Sequence, residues 1–275
     1  MARLRILAFV VAGTLLGGFA APLRGQGGFD HDYRAYASLL RTHLRDGRVD
    51  YARLKAGRQD LDAVVRAFGD VSAHEVHAWS RPQQIAFWIN AYNTFTLRAI
   101  VDHYPIEGSR FSLHPRNSIR QVDGVWTSLA WKAAGQTVTL DDIEHRILRP
   151  TFREPLVHFA VNCASVSCPP LAPEPYRAIT LEAQLHAAAR RFLASPLGLT
   201  LRGTRLSVSS IFKWYGDDFV ERYGNVVAGA GAPVDRAVLG VVATFGPADA
   251  RAVAETGRAR IGFLSYDWSL NDLPR

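Results

Sequence analysis

Both cysteines of the chain, Cys163 and Cys168, lie in the stretch His158–Leu171 (HFAVNCASVSCPPL), with four residues between them. Three kinds of chemistry suit such a pair. The first is a disulfide: the number is even and the spacing can close a small loop. So short a loop would contribute less through chain entropy than a long one. The second is a nucleophilic Cys163, placed where an apolar run empties into a turn of small residues. Backbone N–H groups and a nearby imidazole could activate it there. The third is a pair of buried, inert thiols.

In the nucleophilic reading His145 and His158 are the nearest bases, with Glu144 or Asn90 to orient one of them. The plan is that of cysteine hydrolases: a thiol, an imidazole, and a carboxylate or amide. Cys163 would attack an amide or thioester carbonyl, with His145 as base and backbone N–H groups after Cys163 holding the oxyanion. His158 lies five residues before Cys163 on an expected strand, so contact would need a sharp turn. His145 arrives from another element and can approach freely. Other chemistries find little support. There is no HExxH and no paired CxxC, and His74 and His77 lie on a polar helix, so no metal site is read. There is no GxSxG around Ser165 or Ser167. No cofactor is implied.

The elements that must position these groups follow from periodicity. Asp30–Arg45 carries apolar residues at helical spacing, and Asp60–Phe68 is a second helix. Ser80–His103 is the strongest helix, with Ser80 as cap and Pro82 in its first turn. Its body is apolar nearly all round, which predicts a central position. Asn90, Asn93 and Leu97 share one stripe of it. Buried asparagines must find partners, either loop backbone or a site. Val125–Thr139 holds two short extended pieces around Ala133–Gln136. Thr139 then caps a helix that ends at Pro150, with Glu144 inside its apolar arc and His145 beside it. A Glu in such an arc needs a partner, or its pKa rises. Pro155–Val161 is predicted as a strand, with His158, Ala160 and Asn162 on one side. Thr180 caps a helix over Leu181–Leu193, and Leu199–Val208 is a hairpin. Ile211–Tyr223 is aromatic-rich and contains Asp217 and Asp218. Helices at Asp235–Phe245 and Asp249–Glu255 and a strand at Ile261–Tyr266 complete the chain. The expectation is one α+β domain over residues 30–275, helix-rich, with a small and mainly antiparallel sheet.

The bulk properties set the context. The 275 residues are 48% hydrophobic and 21% charged, a globular composition. The formal charge is +7, but the charges are interspersed without an aromatic-basic array, so no nucleic-acid partner is read. Arg3 and Arg5 precede an apolar run over Ile6–Leu16, and Gly18-Phe19-Ala20 suits a signal peptidase. Residues 1–20 therefore read as a signal peptide and 21–29 as a flexible lead, with no membrane span after cleavage. A periplasmic or secreted location favours the Cys163–Cys168 bridge.

Four segments, in order, resemble a known family: QQIAFWINAYNTFTLRAI, TLDDIEHRILRPTF, VHFAVNCASVSCPPL and IFKWYGDDF. The family is the bacterial and plant domain of unknown function 547, and the resemblance covers roughly residues 80–220. The matching positions here are Trp88, Asn90, Tyr92, Asn93, Glu144, His145, His158, Asn162, Cys163, Trp214, Tyr215 and Asp218. The family brings no activity with it. A kinship with papain-like or transglutaminase-like thiol hydrolases would fit the Cys, His and Glu/Asn set as an analogy of sites. Two functional expectations follow. One is an exported cysteine-dependent amide or thioester hydrolase or transferase, with Asn93, His158, Asn162, Trp214 and Asp218 binding an unknown substrate. The other is a non-enzymatic envelope binding or scaffold module stapled by the disulfide.

Overall fold

The computed structural model describes residues 28–229 and 231–273. The signal-peptide reading of residues 1–20, and most of the lead, lie outside the described residues. The described part of the lead is anchored: the Phe29 ring packs against Tyr33, Phe68, Trp79 and Phe87, and its N–H donates to Glu75 at 3.1 Å.

Helix α1 (Arg34–His43) leads through a short ribbon, β1 (Leu44–Arg45) and β2 (Arg48–Val49), into α2 (Tyr51–Ala56), α3 (Arg58–Gly69) and α4 (Ala73–His77). Of these, α2 and α3 pack against α5 (Arg81–His103), and α1 packs on α2 and α3. Ser80 and Gln83 form a reciprocal capping box at its start, and Pro82 occupies its first turn. From Ile85 to Leu97 every residue of α5 is buried, so the helix is the axis of the core rather than a surface element. One hydrophobic cluster runs from Tyr33 to Leu270 through it.

A hairpin, β3 (Ala130–Ala133) and β4 (Gln136–Thr139), turns through Ala134 and Gly135, both with positive φ. The next segment departs from expectation. The helix does not stop at Pro150 but continues as a wide π-helical coil over Asp142–Phe152. The wider turn relieves the clash and missing N–H that make proline end an α-helix. Arg153, in the left-handed region, closes it.

The expected strand Pro155–Val161 is a second correction. Pro155–Phe159 is a tight 3-10 turn, capped by the Glu154 carboxylate accepting from Leu156 N–H at 3.2 Å. All five residues are buried, so no two-sided alternation exists. Among the described residues no strand pairs with it. The Asn93 side chain supplies the missing backbone partners, donating to Ala160 O at 3.0 Å and accepting from Asn162 N–H at 2.8 Å.

Beyond this turn, α6 (Leu181–Leu193) leads into a sheet of β5 (Leu199–Arg202), β6 (Arg205–Val208) and β7 (Arg260–Phe263). β5 and β6 pair antiparallel, with Leu199 opposite Val208, and β7 adds in parallel, with Ile261 opposite Leu206. Between them lie α7 (Ile211–Tyr215), a 3-10 turn over Gly216–Phe219, α8 (Val220–Tyr223), α9 (Pro233–Phe245) and α10 (Ala248–Glu255). The fold is thus helix-rich α+β with small, mainly antiparallel sheets. No helix among the described residues is long and apolar enough to cross a membrane.

After β7 the chain becomes an extended strap laid across the cysteine turn. Val166 N–H donates to Ser269 O at 2.8 Å, Asn271 N–H to Ala164 O at 3.0 Å, and Asp267 N–H to Ser167 Oγ at 2.9 Å. The strap continues to β2, where Val49 N–H meets Asn271 O at 3.0 Å.

Candidate active site

The cysteine turn is held from below and open above. Asn162 fixes its lower side. Its Nδ2 donates to Pro169 O at 2.8 Å, and its Oδ1 accepts from Ala164 N–H at 2.9 Å. Ala164 adopts a positive φ of 58°, which a non-glycine residue accepts only when its surroundings enforce it.

The expected disulfide does not form; both thiols are free. The buried Cys168 Sγ sits over the Cys163 main chain, accepting its N–H at 2.9 Å and lying 3.8 Å from Val161 O. Cys163 Sγ also meets Ser165 Oγ at 3.2 Å and the Tyr266 hydroxyl at 3.3 Å. These two hydroxyls also touch, at 3.1 Å. The contact with the Cys168 thiol, helped by Ser165 and Tyr266, outweighs burial and lowers the Cys163 pKa to about 7. Cys168, buried and facing that developing charge, is pushed well above the ordinary range. Burial and the nearby Cys163 thiolate likewise keep Tyr266 protonated, as a donor.

Cys163 opens into a cavity of about 390 Å³. His145, His158, Glu144, Tyr92 and Tyr215 line it, and so do Trp126, Trp214, Tyr266 and Trp268. The structure therefore gathers Cys163, His145, His158, Glu144 and Trp214 at one space. Asn90, Asn93, Asn162 and Asp218 are outside its lining. Asn90 was expected to orient a base; instead its amide holds the proline-rich loop, donating to Tyr176 O at 2.8 Å and accepting from Tyr176 N–H at 3.0 Å.

The two imidazoles differ. Neither is a hydrogen-bond partner of Cys163 Sγ. His145 Nδ1 is 2.9 Å from Arg149 Nη1. A guanidinium only donates, so this nitrogen is the acceptor and the ring proton lies on Nε2, facing Asp141 at 3.6 Å. His158 is buried, with its ring stacked on Tyr215 at 4.3 Å. Its Nε2 is 2.7 Å from Asp218 Oδ2, and its Nδ1 is 3.8 Å from Glu144 Oε1. Burial opposes ionisation of Asp218. The hydrogen bonds from His158 and from Arg149, at 2.6 and 3.0 Å, prevail and hold its carboxyl well below the usual range. The Asp218 carboxylate thus accepts from His158 Nε2, which leaves Nδ1 on the Glu144 side of the ring. Glu144 finds the partner its apolar arc demanded, in Tyr215 and beside His158.

The oxyanion site expected after Cys163 is also corrected. Ala164 N–H is taken by Asn162, and Ser165 N–H is directed at the Cys163 sulfur. Side-chain donors that line the cavity include the Tyr266 hydroxyl, His145 Nε2–H and the Arg120 guanidinium. Sequence reasoning missed Tyr266, Trp268, Ser165 and Arg149. Only the aromatic density of Tyr266-Asp267-Trp268 signals the first two, and it resembles core. Among the described residues no three His, Cys, Asp or Glu side chains group so as to hold a metal ion.

Residues 76–193 match the family model described as protein of unknown function, DUF547. That stretch is similar to this family and contains α5, the π-helical coil and the cysteine turn. The aromatic Ile211–Phe219 segment lies beyond the match. No curated protein and no solved structure matches the chain.

Proposed function

We propose that this protein is a cysteine-dependent acyl-transfer enzyme, a hydrolase or transferase of thioesters or amides, with Cys163 as nucleophile. The observation that carries the reading is the Cys163 thiol itself. It faces a cavity, holds three hydrogen-bonding neighbours, and has a pKa lowered to about 7. Such a thiol is substantially ionised at neutral pH and needs no imidazole contact to be activated.

The thiolate attacks the acyl carbon, forming the S–C bond and moving charge to the carbonyl oxygen. The Tyr266 hydroxyl and His145 Nε2–H are donors available to that oxygen. Collapse expels the leaving group and leaves an acyl-cysteine. His158, fixed in its tautomer by Asp218, then draws a proton from the incoming water or acceptor through Nδ1. His145, expected as the base, has its lone pair engaged by Arg149, so the base role passes to His158. A thiolate leaving group needs no proton whereas an amine does, so thioesters should react faster than amides of the same acid.

The test is a chromogenic thioester offered at pH 7. Stoichiometric thiol release with an acyl mass increment on Cys163 is expected. Its absence across short, aromatic and peptidyl acyl groups would remove the enzyme reading. It would favour a ligand-binding module built on the Trp214–Tyr266–Trp268 cluster, whose rings lie 4.6–5.8 Å apart. Export, read from residues 1–20, belongs to the same proposal and is tested by N-terminal sequencing of the protein from intact cells.

A further inference from the structure

The Cys163 cavity carries one guanidinium whose capacity the fold leaves partly open. Arg120 is the only Arg or Lys among the residues lining it. Three contacts fix the side chain. Its Nε donates to His114 Nε2 at 3.2 Å, and its guanidinium carbon lies 4.9 Å from the Trp268 ring centre and 5.5 Å from that of Trp126. Its backbone N–H is tied to Ser118 Oγ at 3.1 Å. The two terminal nitrogens have no hydrogen-bond acceptor and no carboxylate partner among the described residues. Arg149 is the contrast, since Asp218 receives both its Nε and Nη2. The carboxylates that share the cavity with Arg120 have other company: Asp141 faces His145, and Glu144 faces Tyr215 and His158.

We infer that Arg120 is the receptor for a carboxylate on the acyl substrate, so that Cys163 acts on acids bearing a second, free carboxylate. This rests on the reading of Cys163 as nucleophile. A guanidinium is planar and binds a carboxylate through paired N–H groups. Aromatic faces hold the cation and reduce its hydration without neutralising it, leaving the paired terminal N–H groups for an anion. Asp141 and Glu144 repel the same anion elsewhere in the cavity, which would select one orientation of the substrate.

Alkylation tests this without requiring turnover. N-bromoacetyl derivatives of glycine, β-alanine and γ-aminobutyric acid are prepared as free acids and as carboxamides, giving three reaches of the charge from the reactive carbon. Cys163 displaces bromide, and its modification is followed by mass spectrometry. For at least one length the acid should label Cys163 about tenfold faster than its amide, the size expected of a charge-assisted pair. Arg120→Gln should bring the two to parity while leaving the amide rate unchanged. Equal acid-to-amide ratios in wild type and Arg120→Gln at every length overturn the inference and leave the nucleophile standing. If Arg120→Gln also slows the amides, the acid-to-amide ratio decides. A ratio brought to parity supports the charge, and a ratio unchanged from wild type overturns it. Failure of every probe to label Cys163 sinks the nucleophile, and this inference with it.

Discussion

The lower and upper faces of the Asn162–Cys168 turn are made from neighbouring residues, yet they treat polarity in opposite ways. Below, Asn93 and Asn162 direct their amides to backbone groups of the turn, and Asn90 does the same for the following loop. Every contact is internal, as burial requires. Above, the side-chain partners of Cys163 Sγ are soft and switchable: two hydroxyls and a thiol, beside the Ser165 N–H. Beside it stand a histidine proton facing a carboxylate at 3.6 Å and a guanidinium with open nitrogens. A family resemblance places the asparagines and the cysteine together, but their physics separates them. The amides build the turn, and the thiol is what the turn presents.

Substitutions on each face should therefore fail differently. The largest effect belongs above. Cys163→Ala should abolish thioester turnover, by more than about a thousandfold as for other nucleophile deletions, while the urea midpoint hardly moves. Retained turnover would transfer the chemistry to another group. Asn93→Ala belongs below. It strands Ala160 O and Asn162 N–H, and should cost about 2–4 kcal/mol in urea unfolding with an unchanged m-value. A loss under about 1 kcal/mol would mean that water replaces the amide and the turn is less dependent on α5 than its geometry implies.

Smaller shifts sharpen the upper face. Iodoacetamide labelling of Cys163 should rise with pH around a midpoint of about 7. Cys168→Ala should move that midpoint up most, because the Cys168 thiol is the largest influence lowering it, and Tyr266→Phe should move it up less. Loss of the Tyr266 donor should slow labelling below pH 7 by about tenfold or less, the scale of one hydrogen bond to a charged group. An unmoved midpoint in both variants would mean that the thiolate is held by Ser165 alone.

The smallest effect lies behind the site. Asp218 ionises at lower pH in the folded protein than in the unfolded chain. It therefore contributes stability above the unfolded carboxylate range, and that contribution is lost as pH falls below about 4 toward its folded value. Asp218→Asn should lower stability at pH 7 and flatten this acid limb. An unchanged acid limb would assign acid sensitivity to other carboxylates.

Much of the scaffold was legible in the chain. The helix Leu181–Leu193 has the residue limits its periodicity predicts, and the hairpin at Leu199–Val208 pairs as its turn residues suggest. The apolar circumference of α5 announced its central place, and Glu144 within an apolar arc announced the partner it finds in Tyr215. The strand assigned to Pro155–Val161 failed for a physical reason. An apolar run of that length fits a strand or any fully buried segment, and only the Asn93 amide, sixty-seven positions from Ala160, shows which backbone partners it has.

The sequence by itself determined which stretches coil, which pair locally, and that Cys163, His145, His158 and Glu144 sit close along the chain. Local periodicity and turn chemistry record burial and bending within a few residues. Tertiary structure decided the rest. It brought the strap carrying Tyr266 and Trp268 across the turn, left Cys163 and Cys168 as free thiols, gave His145 to Arg149 and His158 to Asp218, and left Arg120 facing the cavity. A contact such as that between residues 163 and 266 fixes neither residue's neighbours to any period. It is set by packing around α5, and the reactivity of the thiol is set with it.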